Sequence, residues 1–222
     1  FPTRRSSDLD PPPVSTEIDV AFVLSADSLE NGQTFRLMKE TLAWIIGKYG
    51  TEKLRYALIV FGANAKTELD FDSSTRTPNN LIEFVQLLRM QPGRSNIIGA
   101  LKKAEEVFDS ENARPDACKV VVIMTDKAFG SSAPEISEAA APLDEREVKV
   151  IPVAVGFEDD SSQLELSNPD GLVIEVPRSE KPRTLGKQLM EHVTRCKLKR
   201  KRLSMCFSTE CHMPENTILH IH

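Results

Sequence analysis

Glu17-Ile-Asp-Val-Ala-Phe-Val-Leu24 runs directly into Ser25-Ala-Asp-Ser-Leu-Glu30. Ile18 and the unbroken run Val20 to Leu24 leave no polar face, the pattern of a strand covered on both sides. Ser25, Asp27, Ser28 and Glu30 then bring hydroxyls and carboxylates to the point where that strand opens into a loop. Leu54-Arg-Tyr-Ala-Leu-Ile-Val-Phe61 and Val148-Lys-Val-Ile-Pro-Val-Ala-Val155 repeat the apolar pattern. Lys119-Val-Val-Val-Ile-Met-Thr125 is the run richest in β-branched side chains and is expected at the centre of the sheet. Thr67 to Phe71 and Leu172 to Val176 are expected as short strands, the first at an edge.

Helical spacing fills the intervals. Phe35, Met38, Leu42, Ile45, Ile46 and Tyr49 fall on one face of a helix that Gly50 can close. Pro78 opens a second helix with Leu81, Phe84, Val85 and Leu88 inward, and Ile97, Leu101, Ala104 and Phe108 mark a third. Glu135 to Arg146 is helical in composition, with Pro142 expected to end or kink it. Leu185, Leu189 and Val193 mark the last helix. Pro152 lies inside a strand, which requires a bulge or a position whose N–H has no partner. Strands alternating with helices predict an α/β fold, a mostly parallel sheet between two helical layers. Ligands of such sheets bind at the carboxyl ends of the strands. Three loops leave such ends at chemically interesting places: Ser25 to Glu30, the stretch around Ser95, and Thr125 to Gly130.

The domain is expected over residues 17–196. Before it, Asp10-Pro-Pro-Pro13 makes a stiff connection within a leader of residues 1–16. Phe1 to Leu9 has no apolar core of a signal sequence and resembles translated sequencing-adapter read-through, an assembly artefact. Residues 197–222 form a basic, cysteine-containing tail beginning Lys-Leu-Lys-Arg-Lys-Arg202. A net charge of -5 gives no drive toward nucleic acid, and no apolar run reaches the length of a membrane span. Cys118, Cys196, Cys206 and Cys211 allow three full pairings, none with zinc-site spacing.

Taken in order, the five segments 17–24, 54–61, 93–101, 119–126 and 148–156 resemble the von Willebrand factor type A domain family. Within it they are most similar to the extracellular-matrix domains of type VI collagen and matrilin-like proteins. The resemblance implies a three-layer Rossmann-like fold and a non-enzymatic, protein-binding role in cell adhesion or matrix assembly. It also implies a secreted chain with an extracellular or cell-surface protein partner. Family members hold Mg2+ or Mn2+ with an Asp-x-Ser-x-Ser loop, a Thr from a second loop and an Asp from a third, oxygen ligands suited to a hard cation. Ser95 stands at the second position and Asp126 at the third. The first loop departs from the pattern: Ser25 replaces Asp, Asp27 replaces the first Ser and Leu29 the second. The metal set implied here is therefore the degenerate group Ser25, Asp27, Ser95 and Asp126, a weak Mg2+ or Mn2+ site at most. The ligand-binding face adds Ser28 to these four. Lys127, where the family often has Gly, is expected to neutralise Asp126 and compete with a cation.

Other candidates carry blander readings. Glu17 and Asp19 read as solvated residues at a strand entry, and His192 as a surface or half-buried residue of the last helix. Lys199 to Arg202 reads as a solvated tail, a polyanion contact or a processing site. Cys206, Cys211, His212, His220 and His222 match no metal-site spacing. No nucleophile motif and no glycine-rich phosphate loop supports catalysis. Two alternatives to adhesion remain: a structural packing domain of a larger extracellular protein, and an intracellular interaction domain of the same kind.

Overall fold

The structure is a computed structural model that describes residues 16–27, 32–72, 77–91, 93–127, 131–156 and 173–196. Six strands form one sheet: β1 (Ile18–Ser25), β2 (Leu54–Phe61), β3 (Ala65–Leu69), β4 (Cys118–Thr125), β5 (Lys149–Val155) and β6 (Ile174–Val176). Their order is β3-β2-β1-β4-β5-β6, and every pairing is parallel except that of β2 with β3. The helices among the described residues are α1 (Gln33–Tyr49), α2 (Pro78–Leu87), α3 (Ile97–Asp109), α4 (Ala133–Glu145) and α5 (Pro182–Val193).

The period of two along β1 divides the core. Ile18, Val20, Phe22 and Leu24 join the layer containing α1, α2 and α5. Ala21 and Val23 join the layer containing α3 and α4. All of β1 is buried, which explains why it carries no alternation of apolar and polar side chains. The α/β reading and the mostly parallel sheet between two helical layers are borne out.

Several local expectations need adjustment. The edge strand lies at Ala65–Leu69, two residues before its expected position, and pairs antiparallel with β2 through a register shift at Leu58/Ile59. Helix α4 starts at Ala133, where the Ser132 N–H donates to Glu135 Oε2 at 2.9 Å. It continues three residues past Pro142 and ends within that same turn, so the proline removes one hydrogen bond near the helix end. Pro152 pairs in continuous register with Ile123, without a bulge. On its other side the Gly156 N–H donates to Val176 O, so by the period of two Pro152 faces the same edge. There the first residue of β6, Ile174, pairs with Val153, one position past Pro152. The missing N–H thus falls where the ladder has not begun.

Asp19 corrects the expectation of a solvated strand entry. It is fully buried, and Arg114 meets it three times: the backbone N–H donates to Oδ2 and Nε donates to Oδ1, both at 2.7 Å, and Nη2 lies 2.7 Å from Oδ1. Nη2 of Arg114 also donates to Ile18 O and Lys53 O, and Nη1 lies 3.3 Å from Glu17 Oε2. One guanidinium therefore gathers the entries of β1, β2 and β4. Cys118 at the start of β4 is joined to Cys196 beyond α5. This bond occurs in one of the three full pairings; Cys206 and Cys211 lie outside the described residues.

Candidate functional site

In this strand order β1 lies between β2 and β4, so the loops leaving β1 and β4 diverge and open a crevice at their carboxyl ends. Ser25 and Asp27 stand on one lip and Asp126 and Lys127 on the other. The loops around them are tied together by backbone hydrogen bonds. The Ala26 N–H donates to Phe61 O at 2.7 Å, and Ala26 O accepts from the Gln91 N–H at 2.9 Å. Gly62 follows β2, and a Cβ there would approach Gln91 O to 2.4 Å, so only glycine permits this crossing. The Asn96 N–H donates to Gly62 O at 2.9 Å, while the Asn96 side chain caps α3 by accepting from the Gly99 N–H. Ser95 is thereby held at the same edge of the sheet.

Asp27 is at the centre. Its side chain is fully buried, and the Ser25 hydroxyl donates to its Oδ1 at 2.6 Å. The Lys127 ammonium lies 2.7 Å from Oδ2 and donates to the Asp27 backbone carbonyl at 2.8 Å. At Oδ2 the contact is an ion pair without a well-directed hydrogen bond. The Thr125 hydroxyl fixes the backbone of Lys127 by donating to its carbonyl at 2.9 Å and accepting from its N–H at 3.3 Å. Lys127 thus meets Asp27, across the crevice, and not Asp126 as its sequence neighbourhood suggested.

Besides Asp27 Oδ2, two polar atoms of the expected face have no hydrogen-bond partner among the described residues. Ser95 Oγ and Asp126 Oδ1 are both buried and unsatisfied. A buried polar group without a partner is costly and marks a place where a ligand, ion or water belongs. Of the five residues expected on the face, Ser25 and Asp27 are in direct contact, and Ser95 and Asp126 share their sheet edge without a bond to them. Ser28 lies outside the described residues.

The residues can be tested against the divalent ion that the sequence resemblance implies. Asp126 Oδ1 and Ser95 Oγ are suitable oxygen donors. Asp27 is not, because Ser25 occupies one carboxylate oxygen and Lys127 the other. Two unit charges about 4 Å apart interact by roughly 4 kcal/mol at an effective dielectric constant of about 20, so a doubly charged ion beside the ammonium meets a repulsion of about 8 kcal/mol. As arranged, Ser25 and Asp27 do not fit a divalent cation.

Lys127 at Asp27 and Arg114 at Asp19 were missed as partners in the sequence. A signal existed for the second: a single carboxylate within a fully apolar strand must be paired. Leu87 and Met90 were also overlooked. They are large hydrophobic side chains exposed at 77% and 40%, and Met90 precedes the Gln91 that binds Ala26.

Comparison with known proteins agrees with this architecture. The profile of the von Willebrand factor type A domain matches residues 19–188. Integrin alpha-M of the mouse (Mus musculus) is 26% identical over 196 residues, covering 80% of this chain and 16% of the integrin. Proximal thread matrix protein 1 from the mussel byssus has a similar fold in three crystal structures. One aligns with a TM-score of 0.69 at 20% identity, covering 80% of this chain and 47% of that one. A second crystal form gives a TM-score of 0.68 at 19% identity over 82% and 48% of the two chains. A third, described as having a zinc-occupied MIDAS motif, gives 0.65 at 21% identity over 82% and 46%. The chain spans less than half the length of each of these proteins.

Proposed function

This chain belongs to the von Willebrand factor type A domain family, and from that premise we propose a non-enzymatic adhesion or matrix-assembly module whose metal dependence is weakened or lost. Domains of this family are in general protein-interaction and adhesion modules. The partner docks on the strand-end face formed by Ser25, Asp27, Ser28, Ser95 and Asp126, within a domain of residues 17–196. One observation carries the reading. The carboxylate of the first loop is engaged by Ser25 and Lys127, while Ser95 and Asp126 at the same edge keep unsatisfied buried oxygens. Exposed Met90, whose neighbour Gln91 donates to Ala26 O, supplies apolar area next to the β1 exit.

An extracellular setting, of the type VI collagen or matrilin kind, is supported by the Cys118–Cys196 disulfide, since such bonds persist in oxidising compartments. Relatives among integrins and byssal matrix proteins point the same way. No helix among the described residues is long and apolar enough to cross a membrane. Lys199 to Arg202 would add a polyanion contact.

Thermal shift and isothermal calorimetry with Mg2+, Mn2+ and EDTA test the metal half of the proposal. Clear stabilisation that Asp126→Ala abolishes refutes it. The binding half is tested by capture from an extracellular-matrix extract in EDTA, comparing wild type with Ser95→Ala and Asp126→Ala. Capture of the same protein with equal efficiency by all three excludes this face.

A further inference from the structure

We propose that Lys127 is the resident cation of this face: its ammonium, carried at the end of β4, holds the β1 loop in place and keeps divalent ions out. The proposal rests on reading the strand-end loops as the binding face, but it concerns what assembles that face and not what docks there.

The first support is the form of the contact. An ordinary solvated ion pair joins two side chains and leaves the backbone free. Here the ammonium reaches both the carboxylate and the backbone carbonyl of Asp27, a residue 100 positions away in the chain. Gripping the carbonyl fixes the loop itself, which is the work of a bridging cation. One contact is a hydrogen bond to the carbonyl and the other an ion pair to the carboxylate, and a side chain only 25% exposed makes them in a partly desolvated setting.

The charge balance is the second. Asp27 is fully buried as a side chain, and a buried carboxylate requires one positive partner and donors for its remaining lone pairs. Lys127 supplies the charge and Ser25 supplies a hydroxyl donor at 2.6 Å. A carboxylate at position 25 would have no proton to give and would place two negative charges against one ammonium. Serine at 25, aspartate at 27 and lysine at 127 therefore form one charge-balanced set.

Pre-organisation is the third. The Thr125 hydroxyl binds both the N–H and the carbonyl of Lys127, so the lysine stem leaves β4 from a fixed point. A flexible lysine loses much rotamer entropy on being held, and a fixed origin lowers that cost.

The experiment uses the full chain and Mn2+ as probe. In the wild type, Mn2+ leaves the amide NMR signals of Ala26, Asp27, Ser95 and Asp126 unbroadened, and Tm is equal in Mn2+ and in EDTA. Lys127→Met keeps the length and the apolar stem but removes the ammonium. In EDTA its Tm falls by roughly 6–20 °C, because one partner of a buried pair is gone. Mn2+ then broadens the same amides and restores most of the lost Tm, or restores folding if the variant is unfolded in EDTA. Lys127→Arg keeps the charge and stays silent to Mn2+. The proposal is overturned by a wild type that binds Mn2+ at these amides, or by a Lys127→Met that does not respond to Mn2+ in either signal or folding. Loss of partner capture leaves these readouts unchanged, and a silent wild type with an unresponsive Lys127→Met overturns the role of Lys127 while the metal-independent reading stands, so the two fail separately.

Discussion

Replacing Arg114 with alanine is expected to be among the most damaging single changes outside the apolar core. Asp19 has no exposed surface, and three of its contacts come from Arg114: the backbone N–H, Nε and Nη2. Arg114→Ala keeps the backbone N–H and removes the guanidinium, leaving an ionised carboxylate buried with a single donor. It also strips Nη2 from the carbonyls of Ile18 and Lys53, although Lys53 O still accepts from the Ile18 N–H at 2.9 Å. Removing one partner of a buried pair costs about 3–5 kcal/mol. At about 2–4 °C per kcal/mol for a domain of this size, Tm falls by roughly 6–20 °C. Urea unfolding followed by circular dichroism measures the loss directly. A double-mutant cycle with Asp19→Asn isolates the pairing, because the neutral amide no longer needs the guanidinium. Arg114→Ala within about 0.5 kcal/mol of wild type, the range of ordinary surface substitutions, would refute the clamp. Equal losses with and without Asp19→Asn would show that the cost lies in the carbonyls and packing, not in the buried charge.

The disulfide and the two tyrosines give independent readouts. Reducing Cys118–Cys196, or replacing Cys196 with serine, releases a constraint across a sequence separation of 78 and is expected to cost up to about 4.5 kcal/mol by chain entropy, read as a Tm loss under reductant. An unchanged Tm would mean that α5 is held fully by packing. Burial pushes Tyr49 up to about 12, with Glu191 adding to the shift, and pushes Tyr56 well above the ordinary tyrosine range, with Tyr49 second. Both phenols stay protonated in the fold at pH values where an unfolded chain ionises near 10. Their contribution to stability is therefore complete below about pH 10 and declines as pH rises from there toward the folded values. Ultraviolet titration should show no tyrosinate near pH 10 until the chain unfolds; two ionisations there with the fold intact would contradict the burial of Tyr56 beneath Gly50 O.

What the sequence made legible was whatever depends on periodicity. Val20 to Leu24 and Val120 to Met124 have no polar face, so they had to be covered twice, and β1 and β4 indeed lie adjacent inside the sheet. Boundaries were less legible where one local contact decides them. Ser132 with Glu135 starts α4 two residues before the expected position, and Pro152 escapes its usual restriction only because Ile174 begins β6 beyond it. At the site, the residue types were visible but the pairing was not. Asp126 and Lys127 are neighbours in the chain, yet successive residues at a strand exit point in different directions. Lys127 instead crosses the crevice to Asp27, a choice made by the adjacency of β1 and β4.

That adjacency also explains why the changes at this face hang together. A lysine at 127 without a carboxylate across the crevice would be a partly buried charge with no partner. An aspartate at 27 without the lysine would be a fully buried one, and Ser25 alone could not neutralise it. Each of the three residues is tolerable only in the company of the other two. Changing any one of them alone is thus expected to destabilise the β1 exit, read as a lower Tm. Ser25→Asp adds a second carboxylate beside Asp27; Asp27→Ser strands the ammonium; Lys127→Gly strands the carboxylate. Only concerted replacement keeps the charges matched, which is the behaviour of a coupled set.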